Sequence, residues 1–156
     1  MDMSLKEKST WVSLLSTLGV FGYYFYNIVL LAGLPENTAL SMALALSIKT
    51  ITAVIMIEIL FQSLLAVSNH REAALGNDER DKLFNYKSNS LAYTILVCGV
   101  LLTLGRIVVV EYNPSLGDSQ SSLQIPLLTA HILLLSFILA EVSRFAALIF
   151  YYRRAY

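Results

Sequence analysis

Charged residues are scarce in four predominantly apolar stretches of the chain: Trp11 to Leu34, Thr38 to Val67, Leu91 to Val110 and Ile125 to Tyr152. About 20 residues at a rise of about 1.5 Å cross a hydrocarbon layer of roughly 30 Å, so each run predicts a transmembrane helix. The second and fourth runs exceed that length and are expected to tilt or to project from the bilayer as helix. The first is longer than a signal-peptide core of roughly 7–15 residues and has no small-x-small site after it, so it reads as a retained span.

The connections carry helix punctuation. Leu34-Pro35-Glu36-Asn37 reads as a tight turn that ends one helix and starts the next. Ser68 to Leu75 extends the second helix as far as Gly76, a good left-handed cap. Asn77 is then expected to cap a third helix whose first turn holds Asp78 and Glu79. Asn113 to Ser122 is rich in turn formers, and Pro126 suits the first turn of the fourth helix. The expected fold is all-α: one polytopic transmembrane domain over 1–156, with four helices as two antiparallel hairpins, 8–75 and 77–154. The helices around Gly76 project as a short stalk.

The distribution of Lys and Arg orients this arrangement. Lys6 and Lys8 precede the first span; Arg71, Arg80, Lys82 and Lys87 lie in the middle connection; Arg153 and Arg154 follow the last span. The two other connections contain none, so the positive-inside rule makes both termini and the stalk cytoplasmic. Composition agrees with a membrane setting. Of 156 residues 56% are hydrophobic and 14% charged, where soluble domains carry about 25% charged residues. Lys+Arg and Asp+Glu balance at 11 each, which gives no basic field for nucleic acid. The single cysteine, Cys98, excludes an internal disulfide and a cysteine-rich metal site.

The two halves echo one another. Lys8-Ser9 precedes the first span as Lys87-Ser88 precedes the third, Gly19-Val20 parallels Gly99-Val100, and Ile57-Glu58-Ile59 parallels Ala140-Glu141-Val142. Such an echo describes a parallel repeat, two hairpins related by an axis along the membrane normal. Chance likeness between apolar helices is the competing explanation.

Ionisable side chains inside the spans carry the functional argument, because a charge near the bilayer centre costs about 2.5–3.5 kcal/mol on insertion scales. Glu58 lies nine residues and Glu141 eleven before the end of its span, about 13 and 17 Å from the cytoplasmic boundary at the helical rise. Gln62 is four residues from Glu58, and Arg144 three from Glu141, so each pair shares a helix face. The expectation is one polar cluster of Glu58, Gln62, Glu141 and Arg144, with Arg144 bridging both carboxylates and joining the hairpins. The sharper alternative is a proton- or cation-binding pair of glutamates, against which the neutralising Arg144 counts. Lys49 falls on the opposite side of its helix from Glu58 and is expected to snorkel outward, or to face another helix or a partner chain. His131 is expected to bond a backbone carbonyl or a tyrosine of the first span, and Arg106 to anchor the outer interface near Glu111. No second His or Cys at ligand spacing supports a metal or other cofactor.

The first span holds Phe21, Gly22, Tyr23, Tyr24, Phe25 and Tyr26 in its outer half. Two readings are open: a girdle with helix packing across Gly19 and Gly22, or an aromatic pocket for an apolar or cationic solute. No nucleophile-base-orienter set, HExxH or Walker loop occurs, so enzymatic activity is not expected.

At Asn77-Asp78-Glu79-Arg80-Asp81-Lys82 and the following Lys87-Ser88, the chain resembles small uncharacterised prokaryotic four-helix integral membrane proteins. In those, a similar acidic-basic run precedes a helix that enters the bilayer. The resemblance covers the middle connection and the third span and implies an inner-membrane location, with no activity attached. The four-span size is also similar to that of small bacterial efflux proteins, whose acidic residue in the first span has no counterpart between Trp11 and Leu34. Two functions are carried forward. One is a structural or regulatory protein whose stalk, with Arg71, Glu72, Asp78, Glu79, Arg80, Asp81 and Lys82, docks another membrane protein or a second copy. The other is a small proton- or cation-coupled transporter using Glu58 and Glu141. The lipid bilayer is a partner in both, and a homodimer suits both.

Overall fold

The computed structural model describes residues 5–68, 78–116 and 125–154. Four helices make up this part of the protein: α1 (Leu5–Leu30), α2 (Glu36–Ser68), α3 (Glu79–Tyr112) and α4 (Leu128–Arg154), with a single 3-10 turn at Pro114–Leu116. All four are long and apolar enough to cross a membrane. The shortest, α1, has 26 residues, about 39 Å of helix against a hydrocarbon layer of roughly 30 Å. Side chains such as Ile48, Leu60, Leu102 and Val108 are exposed along α2 and α3. In water such continuous apolar surface would drive aggregation; in lipid it is the solvated surface. The protein is therefore an all-α, multi-pass membrane protein by length and composition.

The helices pack in a row. α1 packs on α2 and on α4, and α4 packs on α3, whereas α2 and α3 make no extended contact among the described residues. The centre of the row is closed by Phe21, Tyr24 and Ile28 of α1, Ala43 of α2, and Ile125 and Ile138 beside or on α4. α3 meets α4 through small or polar residues: Asp81, Ser88, Ala92, Gly99 and Thr103 are its buried positions. Their spacing of seven and four is that of a coiled-coil seam, and small side chains there let two backbones approach. Gly99 is the tightest point, since a Cβ on it would lie 2.2 Å from Ser136 Cβ.

Several local expectations are corrected. The cap of α3 is Asp78 rather than Asn77: it is extended (φ −69°, ψ 162°), its carboxylate accepts from the Glu79 N–H, and Asp81 returns the bond to the Asp78 N–H. The capping pair is thus Asp-x-x-Asp, which satisfies two backbone donors reciprocally. Pro126 stands before α4 in a turn, and Leu127, at φ 56°, precedes the helix at Leu128. α1 stops at Leu30, and Gly33 takes φ 87°, a conformation glycine enters without penalty. Packing across Gly19 and Gly22 is not observed, because nothing lies within 4 Å of a Cβ at either. Glycine on these exposed turns faces outward. The expected helical extension to Leu75, the cap at Gly76, stalk residues Arg71 and Glu72, and most of the outer loop lie outside the described residues.

Candidate functional site

Three polar assemblies tie the row together. The first lies at the ends that hold Lys6 of α1, Asp81 of α3 and Tyr152 of α4. Lys6 Nζ donates to Asp81 Oδ2, and the Tyr152 hydroxyl bonds the same carboxylate. Asp81 is buried at 5% exposure despite its place in the charged run expected to form a docking stalk. Glu7, also buried, meets Arg153 Nε at 3.4 Å, and the Arg153 guanidinium lies 5.3 Å from the Trp11 ring. Of the other stalk positions, Asp78 caps α3, while Glu79, Arg80 and Lys82 are exposed.

The second assembly joins the first turn of α4 to α1 and α2. His131 Nδ1 lies 2.8 Å from the Leu127 carbonyl, which only accepts, so Nδ1 carries the proton. In the neutral ring Nε2 is then an acceptor, and the Tyr24 hydroxyl, 2.8 Å away, donates to it. Tyr24 also lies 2.9 Å from Ser47 Oγ, which in turn donates to Ala43 O at 2.7 Å. Tyr24 is 1% exposed, and its ring stacks on His131 at 5.6 Å. The neighbouring Tyr23 and Tyr26 face outward. The aromatic run is thus divided by helix periodicity, one tyrosine structural and two at the lipid surface.

The third assembly is the glutamate region. Glu58 accepts from Ser13 Oγ at 2.9 Å and Ser16 Oγ at 2.7 Å, one on each carboxylate oxygen, with Gln62 Nε2 at 3.5 Å. Gln62 in turn accepts from Ser9 and donates to Ser13. These serines are the residues that the sequence reading missed. Their signal is present as Ser9, Ser13, Ser16 and Thr17, a polar stripe at three- and four-residue spacing in an otherwise apolar helix.

Glu141 has a different partner. Arg144 donates to its Oε2 through Nη2 at 2.6 Å and Nε at 3.1 Å, and the guanidinium sits 4.3 Å from the Phe145 ring centre. Arg144 makes no hydrogen bond or ion pair with Glu58, so among the described residues the expected bridge between the carboxylates is absent; each acid is satisfied within its own surroundings. The two nevertheless line one groove of about 520 Å³. α1 forms its floor with Thr17 and Phe21, α2 one wall with Ile51, Ile55 and Glu58, and α4 the other with Phe137, Glu141 and Arg144. Because α1 packs on both α2 and α4 while those two make no extended contact, the groove opens away from α1. With both acids ionised its walls carry one net negative charge.

The remaining candidates are dispersed. Lys49 is exposed on α2 and makes no hydrogen bond or ion pair with any described residue. Arg106 Nε donates to Thr129 Oγ1 at 3.2 Å, joining α3 to the first turn of α4. Among the described residues no three His, Cys, Asp or Glu side chains converge as metal ligands. Compared with protein-family models, curated proteins and solved structures, the chain matches none.

Proposed function

We propose that the protein is a small multi-pass carrier of the cell (inner) membrane that couples movement of a solute to a proton or cation at Glu58 and Glu141. The observation that carries this reading is that both intramembrane acids line one groove, in which Arg144 offsets only one of them. Glu58 is met by two hydroxyls and an amide, a set that solvates a carboxylate without cancelling its charge. Ionisable groups within a span are costly and mark ion or proton pathways. The distribution of Lys and Arg supports cytoplasmic termini. Two antiparallel hairpins are supported by the contacts: residues 9, 13 and 24 of α1 meet 62, 58 and 47 of α2. Residues 99 and 106 of α3 meet 136 and 129 of α4 in the same reversed order. The place of Glu58 and Glu141 in one groove favours the internal repeat, while the unequal surroundings of Gly19 and Gly99 count against it.

The test is flux into proteoliposomes under an imposed pH or cation gradient, with Glu58→Gln and Glu141→Gln in parallel. Ion-linked flux that both variants lose supports the carrier. Absence of flux in the parent protein, or equal flux in parent and variants, removes it.

A second reading, docking of another membrane protein, is favoured by Lys49, an exposed cation within a span. A partner helix bearing a carboxylate at the same depth would satisfy it. Lys49→Leu should then abolish co-purification of that partner while leaving the protein folded; unchanged co-purification removes this reading.

A further inference from the structure

We infer that the groove between α2 and α4 binds an amphiphilic organic monocation, with its charged end at Glu58 and its apolar body along the aromatic part of the walls. The inference deepens the carrier reading and rests on the same groove, yet it concerns the class of ligand rather than its movement.

Charge selects the sign. Glu141 already has its cation: Arg144 is held between the Glu141 carboxylate and the Phe145 ring face. That internal arrangement shows how this wall holds a positive group, by a carboxylate on one side and a ring on the other. Glu58 has the carboxylate without the cation. Its partners, Ser13, Ser16 and Gln62, are neutral, and it lines the groove with Phe21 and Phe137 nearby on the same surface. One positive charge completes the balance. An anion would meet two carboxylates and a guanidinium already occupied by Glu141.

Shape selects the body. A volume of about 520 Å³ falls in the range of roughly 300–1,000 Å³ typical of small-molecule sites. Apart from Thr17 and the three ionisable groups, the lining is aliphatic or aromatic, which suits hydrocarbon. An inorganic cation would leave that surface empty. The open side faces away from α1 along helices that are exposed to lipid, so a molecule dissolved in the bilayer reaches the groove sideways, without crossing water.

Tetraphenylphosphonium and tetraphenylborate, nearly equal in size and opposite in charge, separate these contributions. Binding of each is measured by equilibrium dialysis to the full chain in lipid nanodiscs, with empty nanodiscs as the partition blank. Saturable tetraphenylphosphonium binding is expected, with none for tetraphenylborate. Glu58→Gln should weaken it by at least about tenfold, the loss expected when one charged contact is removed. Ile55→Trp, which fills the groove without altering charge, should do the same and serves if Glu58→Gln does not fold. Equal binding of the two ions, or affinities within about twofold of the parent in both variants, would overturn the inference. Cation binding without flux in proteoliposomes leaves the ligand class standing and removes transport; flux without cation binding does the reverse.

Discussion

Gly99 of α3 and Ser136 of α4 stand so close that a methyl group on the glycine would overlap the serine, 2.2 Å from its Cβ and 2.3 Å from its Oγ. This contact sets the separation of the two helices. Gly99→Ala should lower the thermal midpoint of the detergent-solubilised protein, with an overpacking cost of about 1–3 kcal/mol. Ser136→Gly on the same chain should restore most of it. Gly19→Ala, where nothing lies within 4 Å, should change stability by less than about 1 kcal/mol. If Gly99→Ala and Gly19→Ala behave alike, the close approach of α3 to α4 is wrong.

Asp81 stands ten residues before Leu91, about 15 Å of helix ahead of the apolar stretch, and its ionisation should be visible in the acid limb of stability. Burial raises its carboxyl; the Lys6 ammonium, the Asp78 N–H and the Tyr152 hydroxyl act oppositely and prevail, holding it below its ordinary value of 3.8. A carboxyl depressed in the fold contributes stability at neutral pH, fully present above its unfolded value and lost as pH falls through the folded one. Asp81→Asn should therefore lower stability at pH 7 and flatten the pH dependence below about 4. Lys6→Met, which leaves a buried carboxylate short of its cation, should cost more, about 3–5 kcal/mol. Thermal melts from pH 3 to 8 check both.

Tyr24 and His131 should behave as one unit. Tyr24→Phe leaves the His131 Nε2 acceptor buried, and a double-mutant cycle with His131→Leu should show a coupling of about 0.6–2 kcal/mol, the range for interhelical bonds in lipid. Nitrogen NMR of His131 at neutral pH should report the proton on Nδ1. A proton on Nε2 would contradict the bond to Leu127 O.

Ser13→Ala and Ser16→Ala each remove one donor from Glu58, and each should loosen the α1–α2 pair by about 0.6–2 kcal/mol. Ser41→Ala is the control, because that exposed hydroxyl bonds only the Thr38 carbonyl of its own helix. Unfolding in mixed micelles would show the difference; equal losses at all three positions would remove the serine cradle.

The four helices and their membrane setting were legible without coordinates because each apolar run is long enough to span and contains at most two Asp, Glu, Lys or Arg side chains. Punctuation was legible to within a residue or two: Asp78 rather than Asn77, Leu128 rather than Pro126. The depth of Glu58 and Glu141 follows from counting residues, since the helical rise is constant. Which neighbours those acids meet does not follow. The serine stripe of α1 marks the face that turns inward but not the residue it meets, so the tertiary packing alone decided that Ser13 and Ser16 cradle Glu58 and that Arg144 stays with Glu141. The same holds for charge. In the linear chain Asp81 and Glu79 look alike, two acids in one polar run, yet the convergence of α1, α3 and α4 buries the first and leaves the second exposed. Composition and run length determine that the chain enters lipid, because transfer depends on summed polarity. The partners of each polar group depend on where three or four separate helices come together, which no local pattern encodes.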